Sequence, residues 1–411
     1  MIVCPSPPLV ALTETPTVRR DGSLLVTAGY DPSTRLYYDP AASLNLPDVP
    51  LAPSDAQTTA GAKLLRSIII DFPFEDEASR ANTIGAMLTP CLRPMIGGHV
   101  PMVLFDKPQA GVGASLLAEI ISIIATGRGA AMMAMPAKEE EWAKQITSQI
   151  MAGHTLITVD NIEGTLASPT LAKILTSSIH EDRVLGQSKI ITLEHRTIWI
   201  GTGNNIRLAG DLPRRCYWVR MIAAGARPWE RAPETYTIPE LAKWVTDNRG
   251  AILAAILTLA RAWVSAGRPK ATTPTRLGGF EDWVRVVGGI LSHAGITDFL
   301  GNQTAMYAQV DDSGPQWEAF LEAWQKLWAD SSQTVATIVA ALPENESLRD
   351  ALPDELADGA TKDGKDAKGF NRRFAWALRR QNGVKLPNGL VLQRGRKEER
   401  GAKWQVVSWR Q

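Results

Sequence analysis

The feature that most constrains the fold of this chain is a series of short apolar runs separated by amphipathic stretches between residues 100 and 221. The apolar runs cover residues 100–105, 130–134, 155–159, 197–201 and 216–221. Apolar strands that alternate with helices form a parallel sheet covered by helices on both faces. The sequence therefore predicts an α/β core of three layers.

Composition and periodicity divide the chain into four segments. Residues 1–65 are rich in Pro, Asp, Ser and Thr and predict a small irregular N-terminal segment, and residues 66–235 hold the α/β core. Residues 236–329 have helical periodicity and predict a helical lid. Residues 330–411 contain a helical stretch and then two β-like runs around a basic turn, which predicts a winged-helix-like domain.

The bulk composition is that of a soluble globular protein, with 45% apolar and 21% charged residues among 411. Three cysteines without metal-ligand spacing favour a reducing compartment. The most apolar stretch, residues 251–264, is interrupted by Arg261 and is too short to span a bilayer. We expect a cytoplasmic protein without a membrane partner.

A glycine-rich loop follows the first strand of the core and leads into a helix. It comprises Pro108, Gln109, Ala110, Gly111, Val112, Gly113, Ala114, Ser115 and Leu116. A phosphate-binding loop needs small residues, a helix N-terminus that faces the anion, a lysine, and a hydroxyl for Mg²⁺. Against the GxxxxGK[ST] pattern, Pro108 takes the first glycine position and Ala114 the lysine position. The loop predicts ATP binding, with Ser115 as a magnesium ligand.

The missing lysine has two explanations. An engineered Lys→Ala change at position 114 would disable an otherwise complete site, and a naturally degenerate site would bind nucleotide but hydrolyse it poorly. The intact motifs that follow favour the first explanation. Lys107 is a conceivable substitute, but its position before the loop predicts a surface lysine.

Polar residues end two later strands of the core. Asp160 ends the strand at residues 155–159 and is the predicted second magnesium residue. Asn161 stands where many such ATPases have a catalytic Glu, so it is expected only to orient water, and Glu163 is a candidate base. Asn204, with Asn205 as the second choice, is the predicted amide between the attacking water and the terminal phosphate.

Two arginines, Arg214 and Arg215, precede the last strand of the core. A guanidinium at a subunit edge can stabilise charge on a phosphoryl group bound by the neighbouring subunit. This interpretation requires an oligomer, and ordinary surface arginines are the alternative.

Together these ordered motifs resemble the AAA+ ATPase core, in particular the superfamily 3-like replicative helicases of phages, prophages and plasmids. The resemblance covers residues 71–302 and includes the runs 182–186, 202–205, 211–215, 227–231 and 277–283. The family implies a ring, expected to be a hexamer, that hydrolyses ATP with Mg²⁺ and draws single-stranded DNA through its pore. Because such helicases occur together with primases, a primase is a candidate partner.

Basic residues predict the DNA contacts. In the AAA+ helicases a hairpin before the amide-bearing strand enters the pore, and residues 184–196 fit that role with Arg183, Lys189, His195 and Arg196. In the basic C-terminal segment, duplex DNA contacts are predicted for Arg372, Arg373, Arg394, Arg396 and Lys397. Solvated surface charge is the alternative for each of them.

Three functions remain open from the sequence. The first is an ATP-driven DNA helicase or translocase for replication of a mobile element. The second is a nucleotide-switched DNA-binding initiator or defence assembly that does not unwind DNA processively, for which Ala114 would be natural. The third, a regulatory ATPase that remodels proteins, is disfavoured by the basic C-terminal segment.

Overall fold

The computed structural model describes residues 8–183, 190–272, 276–310, 313–357, 369–398 and 401–409. The chain divides into two compact units, residues 1–310 and residues 311–411. Within the described ranges, none of the helices combines the length and apolar character needed to cross a membrane.

The first unit begins with short strands and two helices. These are β1 (Ala11–Thr13), β2 (Thr17–Val18), β3 (Leu24–Leu25), β4 (Gly29–Asp31), β5 (Leu36–Tyr38), α1 (Asp55–Ile68) and α2 (Glu77–Leu92). Helix α1 lies largely inside the segment that the sequence predicted to be irregular. It begins with a capping box, in which the Ser54 hydroxyl accepts from the Gln57 N–H and the Gln57 side chain accepts from the Ser54 N–H.

The α/β core follows. Its elements are β6 (Met102–Lys107), α3 (Ala114–Thr126), β7 (Met132–Ala134), α4 (Glu139–Met151), β8 (Leu156–Ile162), β9 (Thr165–Leu166), α5 (Pro169–Leu175), β10 (Ile179–Arg183), β11 (Ile190–Glu194), β12 (Ile198–Asn204), β13 (Arg207–Leu208) and β14 (Cys216–Arg220). Five strands form one parallel sheet in the order β14-β6-β12-β8-β7. The prediction of a parallel α/β sheet is confirmed.

Each face of this sheet is buried against different helices. Val103 and Phe105 of β6 join a large apolar cluster that includes residues of α2, α3 and α7. Met102 and Leu104 of the same strand join a second cluster with residues of α4 and α5. Because successive side chains of a strand point to opposite faces, this division identifies the α3 face and the α4 face of the sheet.

The rest of the first unit is helical. It contains α6 (Leu241–Asp247), α7 (Arg249–Ser265), α8 (Glu281–Trp283), a π-helical turn (Val284–Gly288), α9 (Gly289–His293) and α10 (Gln303–Val310). Helix α7 has buried side chains along its whole length and belongs to the same apolar cluster as α1 and α3. The segment that the sequence predicted to be a lid is therefore partly built into the main core.

The second unit has its own apolar core. Its elements are α11 (Ser313–Trp328), β15 (Gln333–Thr334), α12 (Val335–Ala341), α13 (Glu346–Asp350), α14 (Asp354–Ala357), α15 (Phe370–Gln381), β16 (Leu390–Glu398) and β17 (Gly401–Ser408). The strands form a sheet in the order β15-β17-β16. Side chains of α11, including Trp317 and Trp324, pack with Phe374 and Trp404. The boundary in the structure therefore lies before α11, whereas the sequence placed it after this helix, at residue 330.

Candidate functional site

The candidate site lies where the parallel strands of the core end, beside the glycine-rich loop. On β8 and β12, Leu156 and Ile200 pack in the cluster on the α3 face. Strand alternation then places Asp160 and Thr202 on that face, at the carboxyl ends of their strands. Helix α3 begins immediately after the loop, so its N-terminus meets both side chains there.

A hydrogen-bonded group of three side chains confirms this proximity. The Ser115 hydroxyl donates to Asp160 Oδ1 at 3.0 Å, and the Thr202 hydroxyl donates to the same oxygen at 2.6 Å. The backbone N–H of Asn161 donates to Thr202 Oγ1 at 3.1 Å. The two predicted magnesium residues thus lie together, and Thr202 was not predicted to hold them.

The loop has the backbone that a turn around an anion requires. Gly111 and Gly113 have φ values of +81° and +94°, in the left-handed region that favours glycine. Trp229 packs on the loop, since a Cβ at Gly111 would lie 2.9 Å from its ring. Ala114, at the lysine position, is only 1% exposed and belongs to the apolar cluster on the α3 face.

Lys107 is not the surface lysine that the sequence predicted. Its side chain is only 9% exposed, and its Nζ atom lies 3.5 Å from the Gly203 carbonyl oxygen. Burial lowers the pKa of Lys107, while the Asp160 and Asp106 carboxylates act in the opposite direction. The prediction was wrong because residue 107 extends β6, where alternation turns its side chain to the α3 face.

The residues next to these strand ends have specific backbone and side-chain partners. Asn161 has a φ of +53°, and its Nδ2 donates to Glu163 Oε1 at 2.9 Å. Asn204 is exposed at the end of β12 and pairs with Lys107 across the sheet. Asn205 turns away, and its Oδ1 lies 3.4 Å from Arg220 Nη2. Of the two predicted amides, Asn204 remains available at the strand ends.

A buried ion pair supports the strand ends on the opposite face. Arg220 bonds to Asp106 through Nη1, and Ile206 N–H donates to Asp106 Oδ1 at 2.9 Å. Burial raises the pKa of Asp106, with the Ile206 N–H and Arg220 opposing that effect. This pair ties the end of β6, from which the loop starts, to the end of β14.

An apolar cleft of about 940 Å³ opens beside the loop. Its wall combines loop residues with side chains from the helices and connections around them, including Ile68, Phe72, Val112, Leu116, Tyr236 and Leu241. Largely apolar clefts of this volume, next to a few polar groups, are typical of small-molecule sites.

The two predicted subunit-edge arginines differ in their surroundings. Arg214 has a side chain 63% exposed and pairs with Asp211 at 2.8 Å. Arg215 is 13% exposed, pairs with the same carboxylate at 2.7 Å and bonds to Ala172 O and Thr176 Oγ1. Arg215 is therefore held by contacts within the chain, whereas the Arg214 side chain is accessible at the surface.

The structure has an antiparallel hairpin, β10–β11, with Arg183 opposite Ile190. Its first strand lies before the predicted range 184–196, and its place in a pore stays a prediction. Thr147 of α4 anchors it by donating to Asp182 Oδ2 at 2.6 Å. Arg183 is exposed, whereas His195 is only 6% exposed and Arg196 is half-buried. Residues 184–188 of the predicted hairpin and Lys189 lie outside the described residues.

In the second unit, the predicted DNA contacts lie on α15 and β16. Arg372 and Arg373 are exposed on α15, near the exposed Trp376. Arg394 lies on β16 over the ring of Trp404, 5.8 Å from its centroid. Arg396 and Lys397 also fall within β16.

Sequence reasoning missed several residues of this region. Thr202 had a local signal, since it shares a face with Asn204 two positions later on the same strand. The pairing of Asp106 with Arg220 had none, because it joins positions 114 residues apart in the sequence.

The comparisons with known proteins are distant. No family model matches the chain, and no curated protein matches it. An apo structure of the NrS-1 C-terminal region is similar at 11% identity and a TM-score of 0.43, covering 91% of this chain and 80% of that one. A second apo structure of the same region gives 11% identity and a TM-score of 0.44, with 93% and 84% covered. Similarities this distant do not establish a family for the chain.

Proposed function

We propose that the chain is an ATPase that binds ATP and Mg²⁺ at the loop between β6 and α3 and, as a ring of identical subunits, moves along single-stranded DNA. The observation that carries this proposal is the meeting of Ser115, Asp160 and Thr202 beside the glycine loop. An AAA+ ring of six subunits with Arg214 at each subunit edge fits the exposure of that side chain.

The site fits a magnesium ion by its donor chemistry. Ser115 offers a hydroxyl and Asp160 a carboxylate, and hard oxygen donors of this kind are the ligands that Mg²⁺ prefers. Bound there, the ion would neutralise charge on the β- and γ-phosphates. The backbone N–H groups at the start of α3 face the same anion.

In the proposed hydrolysis, a water oxygen attacks the γ-phosphorus while the bond from that phosphorus to the bridging oxygen breaks. The bond's electron pair leaves with ADP, and the products are ADP and inorganic phosphate. Asn204 orients the water. A proton of this water passes to the Glu163 carboxylate, whose Oε1 accepts a hydrogen bond from Asn161 Nδ2 at 2.9 Å.

The second unit supports DNA binding in this proposal. Its helices α11 to α15, followed by the β16–β17 hairpin, have the order of a winged helix, and α15 presents Arg372 and Arg373 to solvent. We propose contacts from these arginines and Arg394 to the backbone of duplex DNA.

A nucleotide-switched DNA-binding assembly is the second candidate function. Ala114 and Asn161 favour it, since both lack the charge that fast hydrolysis normally uses at those positions. Such an assembly would bind ATP and DNA without DNA-stimulated turnover.

The deciding experiment measures ATP hydrolysis with and without single-stranded DNA for the wild type, Asp160→Asn and Ala114→Lys. We expect DNA-stimulated turnover that Asp160→Asn reduces by roughly 100-fold or more and Ala114→Lys raises or preserves. If all three forms bind ATP and single-stranded DNA but none hydrolyses ATP, the result supports the nucleotide-switched DNA-binding assembly. Absence of ATP binding by the wild type would contradict both candidate functions.

A further inference from the structure

We propose that Lys107 provides the positive charge for the terminal phosphates of ATP, in place of a lysine at position 114. The observation is its buried ammonium on the α3 face, at the strand end from which the loop starts. This inference rests on the proposed ATP site and names the residue that completes it.

Strand alternation directs Lys107 into the site. Val103 and Phe105, at two-residue intervals before it, pack on the α3 face. Its Nζ atom reaches the Gly203 carbonyl oxygen of β12, the strand that lies between β6 and β8. The ammonium therefore lies under the loop, on the face that carries Asp160 and Ser115.

The present surroundings of this ammonium give it little stabilisation. Among the described residues its recorded hydrogen bond is the one to Gly203 O, and at 3.5 Å it is longer than an ordinary N–H···O bond. The carboxylates of Asp160 and Asp106 attract the ammonium, but neither forms an ion pair with it among the described residues, and Asp106 is already paired with Arg220. A buried charge with such weak partners is costly for the fold. An anionic ligand would supply the missing partner.

Lys107 and Ala114 stand on either side of the same loop. Ala114 brings no charge and its side chain is packed in the apolar cluster, so position 114 supplies no cation to the site. A lysine carries its charge on a flexible four-carbon stem and can act as a point charge for phosphate from a different backbone position. In this proposal the positive charge comes from the last residue of β6 and not from the first residue of α3.

The test compares fluorescent ATP and AMP analogues, both with Mg²⁺, on the wild type and Lys107→Met. Methionine keeps the length of the stem without the charge. We expect roughly tenfold or greater loss of ATP affinity with AMP affinity unchanged, because AMP lacks the terminal phosphates. Lys144→Met, which removes a surface lysine paired with Glu141, is the matched control.

Equal ATP affinity in the wild type and Lys107→Met would overturn the inference and leave the proposed function intact. Parallel loss of ATP and AMP affinity with a lower melting temperature would also overturn it, since a structural role would produce that result. A wild type that binds neither nucleotide would instead reject the proposed function.

A different observation, at the other end of the sheet, carries a second inference. Here a cleft of about 610 Å³ is lined by Arg19, Arg20, Arg35, Arg93, Arg196 and His195, which we call the basic cleft. We infer that the basic cleft binds the phosphates of single-stranded DNA. Its lining comes from the N-terminal strands, the connection between α2 and β6, and the connection between β11 and β12.

The charges in the basic cleft are not balanced. Five arginines line it against two carboxylates, Asp21 and Glu194. Arg35 pairs with Glu194, and Arg19 pairs at 3.1 Å with Asp31. The other three arginines lack an ion pair within the described part of the chain. A concave surface of one sign attracts a ligand of the opposite sign.

Buried donors in the basic cleft lack partners. Both ring nitrogens of His195, and Nε of Arg93, are buried without a hydrogen-bond partner among the described residues. Burial, with a smaller contribution from repulsion by the Arg196 guanidinium, lowers the pKa of Arg93 to about 10. Unsatisfied buried polar groups cost free energy, which a bound phosphate would recover.

A single strand is the phosphate source that the position favours. Glu194, the last residue of the β11 strand of the hairpin, lines the basic cleft, so a strand that follows the hairpin would enter it.

The test is fluorescence anisotropy of a labelled oligothymidylate at several salt concentrations. The double variant Arg20→Gln with Arg196→Gln should weaken binding about tenfold. The slope of the logarithm of the binding constant against the logarithm of the salt concentration should become shallower by about one to two. Arg128→Gln, an exposed arginine paired with Glu14 outside the cleft, should change neither, and ATP affinity should persist in all.

Unchanged affinity and slope in the double variant would overturn the inference. If the double variant loses affinity for free tripolyphosphate but keeps its affinity for the oligonucleotide, the cleft binds a small polyphosphate, and DNA is rejected as its ligand. A wild type that binds ATP but not oligothymidylate would reject both the basic cleft as a DNA site and the proposed movement along single-stranded DNA, and would leave the nucleotide site unaffected.

Discussion

Single side chains at the carboxyl ends of the parallel strands owe their positions to alternation along those strands. Lys107, Asp160 and Thr202 come from three strands, yet each points to the α3 face where its strand ends. Ser115 meets them from the first turn of α3. The site therefore depends on local geometry that each strand supplies independently, and one substitution can remove one function at a time.

Gly111 provides a test of the loop geometry. Its φ of +81° costs an L-residue about 1–2 kcal/mol, and a Cβ would meet Trp229 at 2.9 Å. We expect Gly111→Ala to lower ATP affinity about tenfold or more by displacing the loop. Isothermal titration with ATP measures this. Gly129→Ala, where a Cβ meets nothing within 4 Å, is the control, and equal affinities would contradict the role of the loop.

His195 predicts a dependence of stability on pH. Burial, followed by His180 and Arg93, lowers the pKa of His195 to about 4 from its ordinary 6.5. The unfolded state then binds more protons between these values, so stability is present above pH 6.5 and is lost as pH falls toward 4. The loss attributable to His195 is about 3 kcal/mol at most.

Denaturant unfolding of the wild type and His195→Gln at pH 7.5 and pH 4.5 measures this effect. The wild type should lose more stability on acidification than the variant, by about 2 kcal/mol. The difference between the two proteins is the relevant quantity, because other groups titrate in both. Identical losses would show that folding does not lower the pKa of His195.

At the scale of elements, α1 and α7 connect the N-terminal segment to the core. Gly61 of α1 brings the helices together, since a Cβ there would lie 3.4 Å from the Ala255 carbonyl oxygen of α7. Leu65 of α1 is fully buried in the cluster that also contains α3. The helix that carries the loop thus shares a core with a helix from the N-terminal segment.

Truncation of Leu65 tests this connection. We expect Leu65→Ala to lower the free energy of unfolding by about 2–5 kcal/mol, since it leaves a cavity in a packed cluster. Thr59→Ala on the exposed side of the same helix should change it by less than about 0.5 kcal/mol. Urea unfolding followed by circular dichroism gives both values. Equal effects would mean that α1 is not docked in solution.

At the scale of the whole molecule, each of the two units has a core of its own. In residues 311–411, Phe320, Trp324, Phe374 and Trp404 are fully buried together. Arginine side chains lie on the outside of the same unit. The proposed nucleotide site and the proposed duplex contact therefore lie in different units, which can be tested separately.

A fragment of residues 311–411 should fold alone. We expect a cooperative thermal transition by tryptophan fluorescence, because the buried tryptophans belong to this core.

The fragment should also bind duplex DNA. The double variant Arg372→Ala with Arg373→Ala should weaken that binding about tenfold and reduce its dependence on salt concentration. Lys326→Ala is the control. A fragment that melts without a transition would contradict an independent unit, and a folded fragment without DNA affinity would contradict the duplex contact.

The order of strands and loops was determined by the sequence alone. Apolar runs that end in Asp160 and Asn204 predict strands whose polar ends meet, because the carboxyl ends of parallel strands share one edge. Ser115 follows a glycine loop at the start of a helix, which is equally a local pattern. These features depend on neighbouring residues and on a topology with few alternatives.

Other features were decided only by the tertiary structure. Lys107 and Arg215 carry charges that predict exposure, yet the faces that pack around them leave both largely buried. Arg19, Arg93 and Arg196 lie far apart in the chain and line one cleft only because the N-terminal strands lie against the amino end of the sheet. Burial and proximity of this kind depend on which surfaces meet across the whole unit, and that information is not contained in any local stretch of residues.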